Sequence, residues 1–238
     1  MWHIVNSVTG QDNLLDNPAW YALNGPQAGF AERKGQARRF QPDFCPFYGM
    51  PLEPTEEDWA DVADLAGPGG LVTLAATWTP FPEGWELGWG GEGVQLVGGD
   101  EVGRDVPADR EVIRLGPDDV PEVLDLVERT RPGPFRPRTI ELGTYLGVRR
   151  EGALVALAGE RLRLDGYTEV SAVCTDEAWR GHGFASRLTL AVAAGIRERG
   201  EIPFLHAVAT NLNAIRLYEQ LGFEFRQAAM FKTARVPE

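Results

Sequence analysis

Trp179-Arg180-Gly181-His182-Gly183-Phe184-Ala185 stands between a stretch that reads as a strand, 167–175, and one that reads as an amphipathic helix from about 184 to 199. In that helix Phe184, Leu188, Val192 and Ile196 form one stripe, and Gly200 follows as a stop. Glycines at a strand-to-helix turn let successive backbone N–H groups point into one concavity, and the helix start adds the positive end of its dipole. Such a turn suits a pyrophosphate, with Arg180 adding a charge-assisted contact. A tight turn that merely needs glycine would use the same residues, so at this point both readings stay open. The string matches neither G-x-x-x-x-G-K-[ST] nor G-x-G-x-x-G, which argues against a nucleoside-triphosphate loop.

Upstream, 111–115 reads as a strand and 117–130 as a helix with Val120, Val123, Leu124 and Val127 on its apolar face. Prolines 132, 134 and 137 break the chain, and 144–149, 153–164 and 167–175 then form an antiparallel meander. Downstream, 203–209 reads as a strand, 213–221 as a helix stopped by Gly222, and 225–235 as the last strand. The order is βαββ(β)αβαβ.

The first half is organised differently. Residues 1–108 hold 5 Lys/Arg against 16 Asp/Glu, a net of −11, whereas 109–238 hold 18 against 19, a net of −1. Six of the seven tryptophans precede residue 90. A polar, glycine-rich stretch, 98–107, separates the halves and places a boundary near residue 106: an accessory domain over 1–106 and a second domain over 107–238. In the first, 19–23 reads as a short helix, and Thr55 and Asp58 start another that Gly67 stops. The stretches 71–75, 85–89 and 94–97 read as strands. The tryptophans there read as core.

Two cysteines and three scattered histidines make neither a disulfide framework nor a structural zinc site, and no metal is expected. The net charge of −12 argues against broad nucleic-acid binding. Apolar runs are far short of the roughly 18–20 residues that cross a bilayer. The start, Met1-Trp2-His3-Ile4-Val5-Asn6, does not read as a signal peptide, so a cytoplasmic location is the expectation.

Arg180-Gly181-His182-Gly183-Phe184-Ala185 resembles the [QR]-x-x-G-x-[GA] acyl-CoA signature of the GNAT N-acyltransferases. The segment from Asn211 through Ala214 and Tyr218 to Gly222-Phe223 resembles the N-x-x-A-x-x-x-Y-x-x-x-G-F stretch that follows it in that superfamily. The resemblance covers about 109–236. It implies an α+β fold: a splayed, mostly antiparallel mixed sheet flanked by helices, with a V-shaped gap between 167–175 and 203–209 that admits the pantetheine arm of acetyl-CoA. The smaller α/β N-terminal domain has a strand and helix count that would allow a degenerate GNAT-like half, without a second signature.

With a pyrophosphate on 181–185, an extended arm runs back along the strand at roughly 3.3 Å per residue, so the thioester falls near Val173 and Glu169. Period-two alternation puts Glu169, Val173 and Thr175 on one face and Cys174 on the other. Glu169 is therefore the candidate base for an amine acceptor; His206, on a strand, could serve as a second base, but a lone strand histidine reads first as structural. Cys174, facing away, is disfavoured as a ping-pong nucleophile. The resemblance implies that the N–H of Val173 polarises the thioester, that Tyr218 protonates the departing thiolate, and that Asn211 contacts the cofactor, while Asn213 reads as the helix cap. The cofactor set is thus Val173, Thr175, Arg180, Gly181, His182, Gly183, Phe184, Ala185 and Asn211. The expected activity is direct acetyl transfer from acetyl-CoA to a small-molecule or peptide amine in a ternary complex. A non-catalytic acyl-CoA-binding or regulatory module is the alternative. The acidic half, including Glu56-Glu57-Asp58, suits a cationic acceptor, and self-association through the Trp-rich half is left open.

Overall fold

The computed structural model describes residues 14–238; Trp2 and the leader reading at residues 1–6 lie outside them. The helices are α1 (Pro18–Asn24), α2 (Glu56–Ala66), α3 (Val120–Thr130), α4 (Phe184–Glu198) and α5 (Leu212–Gln220). The strands are β1 (Ala31–Lys34), β2 (Ala37–Phe40), β3 (Phe47–Gly49), β4 (Leu71–Leu74), β5 (Glu86–Gly98), β6 (Val112–Arg114), β7 (Tyr145–Arg150), β8 (Ala153–Leu164), β9 (Tyr167–Thr175), β10 (Ile202–Val208) and β11 (Phe223–Arg235).

Local chemistry explains the helix ends. The Thr55 hydroxyl accepts from Asp58 N while the Asp58 carboxylate accepts from Thr55 N, a complete capping box, and Gly67 closes α2. Gly183 precedes α4 at φ 74°, a left-handed conformation that favours glycine, and the stripe Leu188, Val192 and Ile196 is fully buried.

Among the described residues the eleven strands form one sheet in the order β1-β2-β3-β4-β11-β5-β10-β9-β8-β7-β6. Pairing is antiparallel except for β3 with β4 and β9 with β10. In β10, Phe204 packs with α1 residues and its neighbour Leu205 with α4 residues, so these two cores cover opposite faces. The fold is the splayed mixed sheet flanked by helices that the sequence led us to expect.

Three features depart from the sequence reading. First, 85–89 and 94–97 are not separate strands: β5 runs unbroken between β10 and β11, whose ladders satisfy both its edges. Its glycines serve close packing, since a Cβ on Gly93 would sit 2.8 Å from Ala207 O and 2.9 Å from the Phe231 ring. The connection near residue 106 follows β5, and the sheet continues across it. Second, three short strands had not been read: β1 and β2 each hold two or more charged residues in four, and β3, Phe47-Tyr48-Gly49, is only three residues long. Third, Trp78 and Trp89 are exposed, whereas Trp59 and Trp85 pack with Phe81. Among the described residues no helix is long and apolar enough to cross a membrane.

Candidate active site

The parallel pairing of β9 with β10 runs from Tyr167/Ile202 to Val170/Leu205 and stops, leaving 171–175 and 206–208 apart from each other. At that point β9 also bulges. Ser171 opposes Gly159 and Cys174 opposes Leu157, so Ala172 and Val173 stand against the single residue Ala158, with Ala172 at φ 53°. A bulge leaves its extra residue outside the ladder and bends the strand.

The bulge overturns the strict alternation expected from the sequence. Val173 packs with Val170 in the core under α4, while Cys174 packs with Ala172 in the core under α3. Val173 therefore leaves the face of Glu169, and Cys174 joins it. Burial pushes the Cys174 thiol up to about 11, which keeps it protonated at neutral pH and disfavours the thiolate.

A cavity of about 1120 Å3 opens where the strands part. One end is bounded by 173–175, 179–181, 183–186 and the start of α5. Gly181 and Gly183 have φ of 81° and 74°, and a Cβ built on either meets nothing within 4 Å. No side chain caps α4, so the N–H groups of its first turn stay available beside Phe184, Ala185 and Ser186, all of which line the cavity. Arg180 lines it as well, and the buried Thr175 hydroxyl has no hydrogen-bond partner among the described residues. A positive-dipole helix start, an open glycine turn and an unsatisfied hydroxyl fit an anionic, extended ligand such as acyl-CoA. His182 does not line the cavity: its Nδ1 lies 3.1 Å from the carbonyls of Trp179 and Arg180, and its ring stacks on Phe184. Asn211, not Asn213, caps α5, accepting from Ala214 N at 3.2 Å; both line the cavity. The cap moves because α5 begins one residue before the expected start.

Tyr218 is buried and reaches the cavity wall. Burial, with the nearby Cys174 thiol, pushes its pKa up to about 12, so the hydroxyl keeps its proton at neutral pH.

Glu169 is 1% exposed and does not line the cavity; His206 and Arg161 do. Arg161 donates Nε and Nη2 to the two Glu169 oxygens at 2.8 and 2.7 Å. His206 Nδ1 donates to Glu169 Oε1 at 2.7 Å. On the other side of the ring, Gln95 Nε2 lies 3.0 Å from His206 Nε2 and also donates to Leu15 O, while Arg226 donates to Gln95 Oε1 and to Asp16. The amide must donate to the ring here, which leaves the proton of neutral His206 on Nδ1. Burial pushes the Glu169 carboxyl up, but Arg161 and the His206 bond outweigh it and hold the pKa well below the carboxylate range, at about 2. A carboxylate so held takes no proton from an amine directly.

Arg161 and Gln95 do not emerge from the sequence as site residues, although 94–97, which holds Gln95, reads as a strand. Glu160-Arg161 is the one charged pair inside the otherwise apolar run 153–162, and that placement was the available signal. The cluster Glu56-Glu57-Asp58 sits at the start of α2, whereas Ala66 at the far end of that helix lines the cavity.

The family model of FR47-like proteins matches residues 145–233. A GNAT-family protein from Novosphingobium aromaticivorans DSM 12444 is similar in structure at a TM-score of 0.85 with 36% identity, over 95% of this chain and 100% of that one. A GCN5-related N-acetyltransferase from Kribbella flavida gives 0.56 at 18% identity over 93% and 96%, and a GCN5-related N-acetyltransferase-like protein from Streptococcus suis 89/1591 gives 0.50 at 15% over 91% and 92%. These last two likenesses bear on the fold alone. No curated protein matches the chain.

Proposed function

The chain belongs to the GNAT family of acyltransferases, and on that premise we propose that it moves an acetyl group from acetyl-CoA to a primary amine by direct attack within a ternary complex. The observation that carries this reading is the single cavity that runs from the glycine turn before α4, past the β9 bulge, to Arg161 and His206. A donor laid along 173–175 and an acceptor arriving from the His206 end would meet at the bulge.

In this reading Gly181, Gly183, Phe184 and Ala185 hold the pyrophosphate by backbone N–H groups, with Arg180 and Thr175 beside them. The N–H of Val173, at the bulge, donates to the thioester oxygen as charge develops there. Tyr218 faces a departing sulfur whose conjugate acid titrates near about 8.5 if it resembles a cysteine thiol. With its pKa pushed up to about 12, the phenol keeps its proton, so it can donate that hydrogen to the departing thiolate. His206 is the proton acceptor at the cavity wall, giving up the Gln95 hydrogen bond at Nε2 as it charges. Glu169 is then a positioning residue: it fixes the tautomer of the ring and compensates the imidazolium.

Thiol release from acetyl-CoA over a panel of primary amines tests the proposal. Release that depends on the amine supports it. Acetyl-CoA binding without amine-dependent release rejects it and leaves a binding or regulatory module.

A further inference from the structure

The same cavity is also lined by the segment 39–48, strands β4 and β5, and the loop 130–136, which starts beside Cys174, where Thr130 meets the thiol, and runs towards 43–44. Its lining there carries four arginines, Arg39, Arg131, Arg136 and Arg161, and one carboxylate, Glu92. Arg161 is neutralised by Glu169, and Arg39 by Glu32 with a further bond to the Tyr48 hydroxyl. Arg131 and Arg136 make no side-chain hydrogen bond or ion pair among the described residues.

The contrast within one short segment is informative. Of the four arginines between 129 and 138, Arg129 pairs with Asp125 and Asp176 and Arg138 is bidentate on Glu141; neither lines the cavity. The two that line it are the two without a carboxylate. In a chain of net charge −12, acidic partners are abundant. The loop is also held in place: Arg136 N donates to the Thr139 hydroxyl, which donates to Phe44 O, and Arg138 N donates to Asp43 O. Pro132, Pro134 and Pro137 stiffen it further. A guanidinium on a fixed backbone, left without a protein carboxylate, is suited to a carboxylate from a ligand and repels a second cation. Phe47, Tyr48, Trp89 and Phe231 give the same part of the cavity an apolar wall.

We propose that the acceptor is an amine that also bears a carboxylate, held by Arg136 with Arg131 at the cavity rim, so that its apolar body lies on the aromatic wall and its amine reaches His206. The inference rests on the acyl-transfer reading above and departs from the cationic acceptor that the charge split of the halves suggested.

The test uses matched pairs: phenylalanine against phenethylamine, leucine against isopentylamine, and spermidine as the polycation. In the pair turned over best, kcat/KM for the carboxylate-bearing member should exceed that of its partner by about tenfold or more. Arg136→Gln should bring the ratio close to one through KM for the acid rather than KM for acetyl-CoA. Equal or better use of the decarboxylated amine or of spermidine overturns the inference and leaves acyl transfer standing, as does a loss in Arg136→Gln that falls on acetyl-CoA. If none of these amines releases thiol, calorimetry with N-acetylphenylalanine and N-acetylphenethylamine decides. Preferential binding of the acid, lost in Arg136→Gln, upholds the carboxylate site independently of turnover, and absence of that preference overturns it.

Discussion

His206 Nδ1 and Glu169 Oε1 are joined at 2.7 Å, and this bond crosses between β9 and β10 beside Val170 and Leu205, the last residues the two strands pair. Below it the strands hydrogen-bond to each other, and above it they part around the cavity. The bond thus ties the mouth of the cleft to the buried ion pair of Glu169 with Arg161, and the same carboxylate that orients the ring closes the seam between the strands.

Glu169→Gln should destabilise the protein by about 3–5 kcal/mol at pH 7, because buried Arg161 is left with an uncompensated charge. The folded-state pKa of Glu169, about 2, lies below its unfolded value of about 4.3. Its contribution is therefore present above about pH 4.3 and is lost as pH falls towards 2. Urea unfolding of the wild type across this range should show a fall in stability that is smaller in the variant; parallel curves would contradict the assignment.

His206→Gln should lower kcat by about 10²-fold or more with little change in KM for acetyl-CoA. If Glu169 acts through the ring, the double variant Glu169→Gln/His206→Gln should lose no more activity than His206→Gln alone when both are assayed folded. Multiplicative losses would make Glu169 independent of the ring.

Tyr218→Phe should reduce kcat by about 10- to 100-fold, the worth of a hydrogen bond to a charged group, and should leave the urea midpoint within the range of a conservative change. Unaltered kcat would reduce Tyr218 to a packing residue.

Thr175→Val replaces a buried hydroxyl that has no partner among the described residues. Removing an unsatisfied polar group by an apolar one of similar shape should stabilise the unliganded protein, by about 1 kcal/mol, while weakening acetyl-CoA binding. A melting temperature lowered without ligand would show that the hydroxyl is satisfied in solution.

The bounds of β8 and β9 were legible in the sequence to the residue, and α4 to within one, because apolar periodicity and glycine stops act locally. Both chemical motifs flank the cleft, as their order along the chain implied. The bulge at Ala172 was not legible: nothing in an alanine announces a positive φ, yet it moves Val173 and Cys174 to new faces. Long-range pairing was equally hidden. The insertion of β5 between β10 and β11 and the neutralisation of Glu169 by Arg161 depend on chain segments brought together only in the folded sheet. Glu169 looks like a base in the strand and is an ion pair in the fold.

If the glycine turn before α4 holds the phosphates of an acyl-CoA donor, calorimetric titration of acetyl-CoA into the wild type, Gly183→Val and Gly200→Val will show it. Gly183 and Gly200 have φ of 74° and 77° and open space around them, so both variants carry similar backbone strain at opposite ends of α4. The wild type should bind one acetyl-CoA per chain, Gly200→Val should bind as the wild type does, and Gly183→Val should bind at least about tenfold more weakly. Undiminished affinity in Gly183→Val, or no binding by the wild type, would rule out the glycine turn as the phosphate site.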